Sequence, residues 1–277
     1  MKKISKIILA GFIILAAGII IYAAGTNAHK EEKVIKNIPI NEKNNNEIES
    51  FNGKPLVYND KSIPVLMYHS IDYEKGNELR VPLKNFEEQM KFLKDQGYTT
   101  LTLDQLYDFF ENNKPVPEKS VAVTFDDGYQ DNYTNAYPVI KKYGLKATVF
   151  VITSTIDKNA KCLNSSELRE MQANGMDIES HTVNHEELNS LSYEKQLETL
   201  KKSKNDIENL LNKKVYYLAY PVGKWDNNSL KALKNAGYNM AFTTKNSKSN
   251  KTDGLYTLNR VRINASTSID QFKNLIK

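Results

Sequence analysis

Two histidines four residues apart, His181-Thr182-Val183-Asn184-His185, and two adjacent carboxylates, Asp126-Asp127-Gly128, are the residues whose types and spacing suit chemistry in this chain. On one turn of helix or in a tight loop, the i, i+4 spacing lets both imidazoles face a common point. Either motif alone has a plainer reading: a chance histidine pair, or an Asp-Gly turn. The chain has only four histidines, however, and three of them end predicted strands or lie in the loops that follow. Two imidazoles and one carboxylate form a ligand set of catalytic zinc sites, which keep a fourth position open for water. A structural zinc site is usually closed by four protein ligands, often cysteines, and Cys162 is the only cysteine. One of the two acids would bind the metal, leaving its neighbour to take a proton from a water made nucleophilic by the cation. The reaction implied is hydrolysis of a carbonyl compound.

The acids must be held at the end of a strand. Val121-Ala122-Val123-Thr124-Phe125 is an apolar, β-branched run of the kind buried on both faces, and it stops at Asp126. Ile63–Ser70 reads as a second short buried strand, ending in His69. Phe86, Met90 and Leu93 recur at helical spacing before Gly97, and further helices are expected over about 104–112, 132–143, 165–174, 193–212 and 228–235, with a last one near the C-terminus. Ser165 or Ser166 would cap the helix at 165–174. Strands are expected near 98–101, 147–152, 176–179, 215–219, 239–243 and 255–263. Strands alternating with helices argue for a parallel sheet whose C-terminal edge carries the site. About seven such units suit a closed or nearly closed barrel, although periodicity alone does not separate it from an open doubly wound sheet.

The formal net charge is +5, and Lys2, Lys3 and Lys6 supply three of those charges, so nothing in the balance points to nucleic acid. A lone cysteine cannot form an internal disulfide, and the domain must be held by its core. The uncharged run Ile7–Gly25 is nineteen residues long. As a helix it would span roughly 28 Å, close to a bilayer's hydrocarbon core. It reads as an export signal, retained as a membrane anchor or cleaved near Tyr22-Ala23-Ala24-Gly25. The lysines before it would stay in the cytoplasm, placing later residues on the extracellular face of a bacterial membrane. Residues 26–55 are polar and read as a flexible tether, and residues 56–277 have the size of one domain.

Thr124-Phe125-Asp126-Asp127-Gly128, His181-Thr182-Val183-Asn184-His185 and Tyr220-Pro221-Val222-Gly223 resemble three successive motifs of the polysaccharide deacetylases, carbohydrate esterase family 4. The resemblance covers essentially all of 56–277. It implies a distorted (β/α) barrel, with Asp126 as general base and Asp127, His181 and His185 as ligands of a divalent metal, zinc first, with cobalt or manganese as alternatives. The chemistry it implies is removal of an acetyl group, usually from an N-acetylated sugar in a polymer. The sequence departs from the pattern twice. Ala219 stands where many members have an arginine, and Leu258-Asn259-Arg260 stands where many have a Leu-x-His whose histidine protonates the leaving group. No histidine follows His185. Leu66-Met67-Tyr68-His69 is similar to the start of the circularly permuted poly-N-acetylglucosamine deacetylases, which implies His69 as the acid; a buried, hydrogen-bonded histidine is its plainer reading.

Arg260 or Arg262 could orient a carboxylate in place of the arginine missing at 219, a purely structural arginine being the alternative. Trp225 and Tyr220 could stack on sugar rings, a backbone N–H near Val222 could face an oxyanion, and Cys162 reads as structural. The expected substrate is an N-acetylglucosamine polymer, peptidoglycan first and poly-N-acetylglucosamine second, acted on by a membrane-tethered monomer. Two other readings stand beside it: an O-acetyl esterase on xylan, marked by activity on esters only, and a catalytically silent glycan-binding protein.

Overall fold

The computed structural model describes Phe51 and residues 53–277. The run Ile7–Gly25 and the tether up to residue 50 lie outside the described residues. Among the described residues no helix is long and apolar enough to cross a membrane.

Seven parallel strands close on themselves. They are β2 (Val65–Tyr68), β5 (Ser120–Phe125), β6 (Ala147–Val151), β7 (Met176–Ser180), β8 (Tyr217–Ala219), β9 (Met240–Asn246) and β10 (Leu258–Arg262). The ring runs β2-β10-β9-β8-β7-β6-β5 and returns to β2, which pairs with β5 through Val65↔Ala122 to Tyr68↔Phe125. A closed barrel therefore replaces the open-sheet alternative. It is distorted, since β7 and β8 share the single pair Ser180↔Leu218, and the β9–β10 register shifts between Leu258 and Arg260. A short β3 (Thr99–Thr100) runs parallel to the start of β5. Outside the barrel, β1 (Leu56–Val57) and β4 (Val116–Pro117) pair antiparallel.

The period-two alternation of strands divides the core in two. Val65, Ala122, Phe150, Tyr217, Ala219, Met240, Phe242 and Leu258 fill the lumen together with Leu103, Leu106, Phe109 and Phe110 of helix α2 (Leu103–Asn112), which plugs one end. Leu66, Tyr68, Val123, Phe125, Val149, Ile178, Leu218 and Val261 face outward, beneath the helices. The outer shell is α1 (Leu83–Asp95), α3 (Tyr137–Tyr143), α4 (Ser165–Ala173), α5 (Tyr193–Leu211), α6 (Asn227–Ala236) and α7 (Ile269–Ile276). Each large side chain so buried is worth about 1.5–3 kcal/mol, and that is what holds a domain without disulfides.

Two local expectations are corrected. Asn164, not Ser165 or Ser166, caps α4: its side chain accepts from the N–H groups of Ser166 and Glu167, and Glu167 returns the bond to Asn164 N. The expected helix over 132–143 opens with a π-turn, Asn132–Ala136, before α3 begins.

Candidate active site

The candidate side chains come from four strands, the adjacent trio β10, β2 and β5 and, separated from β5 by β6, β7. His69 follows β2, Asp126 and Asp127 follow β5, His181 follows β7, and Arg260 lies within β10. Asp126 continues the inward alternation of Ala122 and Thr124, so its carboxylate turns into the lumen and is 2% exposed. Asp127 adopts φ 70°, which sends its side chain sideways across the barrel mouth. The two histidines sit in a tight loop, not a helix: Thr182 and His185 both have positive φ, 65° and 60°, and this folds the imidazoles towards each other with ring centroids 4.9 Å apart. Gly128 also has positive φ, 69°, and a Cβ there would meet Val151 Cγ1 at 3.0 Å.

Asp127, His181 and His185 offer ligand atoms that all lie within 4.8 Å of one another. Asp127 Oδ1 lies 3.3 Å from His181 Nε2 and 3.4 Å from His185 Nε2. It is buried without a hydrogen-bond partner. His181 Nδ1 donates to the Ala219 carbonyl at 2.7 Å, and because a carbonyl can only accept, Nε2 is the nitrogen left with a lone pair facing Asp127. An orphaned carboxylate oxygen facing the His181 lone pair and a second imidazole nitrogen is a set of donors that fits a divalent cation. Burial disfavours the charged form of His181, but the Asp127 and Asp126 carboxylates raise its pKa above the ordinary value, so a proton competes for the cation's place.

Asp126 is gripped by Arg260, which is fully buried: Nη1 reaches Oδ1 at 2.7 Å and Nη2 reaches Oδ2 at 2.6 Å. The guanidinium is itself fixed by the Thr243 carbonyl at Nε, by Thr124 Oγ1 at Nη1, and by the Phe150 ring 5.8 Å away. Burial would raise the Asp126 carboxyl, but the charge and hydrogen bonds of Arg260 outweigh it and hold the group well below the usual carboxylate range. The arginine missing at Ala219 is thus supplied from β10, while Arg262 is half-buried, with its backbone N–H on Asn246 Oδ1. His69 Nε2 stands 3.9 Å from Asp126 Oδ2, the oxygen that Arg260 Nη2 also holds, with 13% of its side chain exposed. Burial lowers its pKa against the attraction of Asp126 and Asp127.

The third motif divides. Tyr220 is not available to a sugar ring: it is fully buried, its hydroxyl donates to the Tyr256 carbonyl, and one face of its ring is stacked near Trp225 at 6.5 Å. Trp225 and Val222 are the exposed members, at 37% and 48%, while Pro221 is buried. Val222 is held at φ 48°, and Gly223 at φ 72° presses against β9 so closely that a Cβ would fall 2.2 Å from Thr244 Oγ1. A groove of about 540 Å³ runs past Trp225, Val222, Thr243 and Thr244. Cys162 is half-buried and pairs through its backbone with Tyr129.

Several groups were not evident in the sequence. Thr124 and Thr243 hold the arginine, Tyr129 places its hydroxyl against Asp127, and Asp131 and Asn132 reach the loop of His69. Their only signal is crowding: four of the five fall in the stretch 124–132 that contains the paired acids, while Thr243, seventeen residues from Arg260, carries none.

The sequence profile described as polysaccharide deacetylase matches residues 113–241. YxkH of Bacillus subtilis, a protein assigned to the polysaccharide deacetylases, is 43% identical over 76% of this chain and 74% of its own length. Poly-beta-1,6-N-acetyl-D-glucosamine N-deacetylase of Staphylococcus aureus is 30% identical over 81% of this chain and 85% of its own. Among solved structures, the deacetylase PplD of Streptococcus pyogenes, in complex with acetate, superposes with a TM-score of 0.76 at 33% identity, over 79% of this chain and 99% of that one.

Proposed function

From the premise that this chain belongs to the polysaccharide deacetylase family and is a deacetylase hydrolase, we propose that it removes N-acetyl groups from N-acetylglucosamine residues of an extracellular polysaccharide with the help of a divalent cation, zinc in first place. The observation that carries the reading is the cluster of Asp127, His181 and His185 beside an Arg260-clamped Asp126 and a partly buried His69. Asp127, His181 and His185 would hold the cation, which when bound lowers the pKa of water towards about 7 and polarises a carbonyl. Asp126, kept ionised and immobile by Arg260, takes a proton from the attacking water. That same clamp makes Asp126 a weak base, so its contribution lies in orientation rather than proton affinity. Water adds to the acetyl carbonyl carbon, the C–N bond breaks, and His69 gives its proton to the departing amine. The products are acetate and a glucosamine residue. Trp225, exposed beside the groove, offers its indole face to a neighbouring sugar.

Poly-β-1,6-N-acetylglucosamine is the first polymer to test, because a relative across most of the chain is named for it. Peptidoglycan, which a membrane tether would bring within reach, is the second. Both lie outside the cell, on the side where the apolar run Ile7–Gly25 would deliver the domain.

The test is acetate release from both polymers by the purified protein, before and after stripping with a chelator and refilling with zinc, cobalt or manganese, with His181→Ala alongside. Release that disappears on stripping, returns with metal and is absent in His181→Ala is the expected result. Release of acetate from acetylated xylan alone would replace the amide reading with an ester one. Tight glycan binding with no acetate from any substrate, the metal being confirmed in the protein, would leave a binding protein.

A further inference from the structure

The turn that follows the paired acids does something the proposed chemistry has not yet used. Asp131 to Asn135 send three side chains back to three consecutive residues at the end of β2. Asp131 Oδ2 accepts from Ser70 Oγ and Oδ1 accepts from Ile71 N–H, both at 2.7 Å. Asn132 Nδ2 donates to the His69 carbonyl at 2.7 Å, with a longer contact of 3.3 Å to Asp131 Oδ1. Asn135 Nδ2 donates to the Ile71 carbonyl, again at 2.7 Å. Asn132 is wholly buried, and its own Oδ1 has no partner. A buried amide that leaves its acceptor unpaired costs free energy, so its donor is being held on the His69 carbonyl against a penalty.

The backbone that carries these side chains departs from an α-helix. The N–H of Tyr137 bonds to the Asn132 carbonyl five residues back, one residue further than an α-helix would allow. Regular pairing between β2 and β5 ends where Asp126 N–H meets the Tyr68 carbonyl, so His69 is the first residue that the sheet no longer fixes. The Asp131–Asn135 turn begins its work at that point. Leu79 and Val81 hold the backbone of Ser70 from the other side.

We propose that Asn132, supported by Asp131 and Asn135, is a positioning residue: it fixes where His69 stands relative to Asp126. The base, the metal carboxylate and the group that places the acid are thereby carried on one segment, Asp126–Asn135. This rests on the reading of His69 as the acid that protonates the leaving amine. Misplacement of a reacting group by an ångström can cost about a hundredfold in rate.

A merely structural clasp and a positioning one differ in what they do to substrates with different leaving groups. An amine must be protonated to leave; p-nitrophenolate leaves without a proton. The experiment uses the full chain loaded with zinc, with metal content and circular dichroism confirmed for each variant, and compares kcat on an N-acetylglucosamine pentamer with kcat on p-nitrophenyl acetate. His69→Ala should lose at least a hundredfold on the amide and less than tenfold on the ester. Asn132→Ala should show the same selectivity at about a tenfold loss on the amide, in kcat rather than KM, and adding it to His69→Ala should cost nothing more. Equal losses on both substrates in Asn132→Ala, with the split still seen in His69→Ala, overturn the positioning role alone. Equal losses in His69→Ala overturn the acid assignment itself and this proposal with it. Should Asn132→Ala fail to fold, Asn135→Ala and Ser70→Ala, each removing one bond of the clasp at a partly open position or a hydroxyl, decide by the same ratio.

Discussion

Two carboxylates are buried in the lumen of this barrel, and the protein treats them in opposite ways. Asp126, at the mouth, faces an arginine whose planar fork matches both of its oxygens and which is held in place by Thr243 and Thr124 through two further N–H groups. Glu179, deeper on β7, faces Lys213, a point charge that also contacts Asp177 and the Ile178 carbonyl. Two backbone N–H groups, from Tyr216 and Tyr217, complete its shell. Burial raises both groups; Arg260 reverses the effect for Asp126, whereas Lys213, shared with a second carboxylate, leaves Glu179 pushed up to about 8. The lesson is that a buried acid is kept ionised by an undivided, bidentate partner and not by proximity to a cation. The mouth of the barrel is built for a fixed negative charge, and the middle is built as a latch joining β7 to the start of β8.

The sharpest way to break the comparison is to remove the arginine. Arg260→Met should strand an unpaired charge in the lumen and lower unfolding free energy by about 3–5 kcal/mol, read by urea denaturation, with deacetylation lost as well. A variant of parental stability would mean that Asp126 is neutral in the folded protein. Asp126→Asn should lower kcat by about 10²–10⁴-fold while the bound metal, measured by elemental analysis, is unchanged. Loss of metal along with activity would move Asp126 from base to ligand.

Stability against pH should have opposite slopes for the two acids. For Asp126 the folded value lies below the unfolded one of about 3.9, so its stabilisation is present above that pH and is lost as the pH falls through the folded value. Glu179 is raised to about 8 against an unfolded value of about 4.3. In that window the folded chain keeps a proton the unfolded chain has released, so stability falls as pH rises through it. Glu179→Gln should therefore flatten the decline of Tm on the way to pH about 8, and parallel slopes in parent and variant would show that Lys213 keeps Glu179 charged after all. The smallest effect is expected at the rim, where Trp225→Ala should raise KM for a polymer several-fold, about 1 kcal/mol, with kcat on a monomeric acetyl ester untouched.

What could be read from the sequence is what is local in it. The Asp126-Asp127-Gly128 and His181–His185 motifs carry their geometry within a few residues, and the structure brings Asp127 and both histidines together as their chemistry suggests. The barrel's strands and helices follow from period and punctuation, with boundaries displaced by up to three residues, apart from the π-turn that opens the helix expected from 132. Arg260 was half legible: the missing arginine at 219 created a vacancy, but which of Arg260 and Arg262 fills it depends on a register shift in β10 that no pattern announces. Tyr220 looked like Trp225, a polar-tipped aromatic in a loop, and only the fold shows that the two lie on either side of the surface. Asn132 and Asn135 passed as ordinary helix residues because a π-turn has no distinct hydrophobic period. The β1–β4 pairing, two residues on each strand, is too short to have a period at all.

The barrel closes where β2 lies between β10 and β5. His69 leaves the first strand of that trio, Arg260 comes from the last strand of the chain, and Asp126 is between them in sequence and beside both in space. The seam of the fold therefore runs through the proposed site. A chain emerging N-terminus first carries His69, the proposed acid, then Asp126, the proposed base, with Asp127 and the two histidines, and acquires the arginine that fixes Asp126 only when the final strand docks. Activity and completeness are one event in such a protein: a chain cut short before β10 would hold most of the conspicuous residues and still be inert.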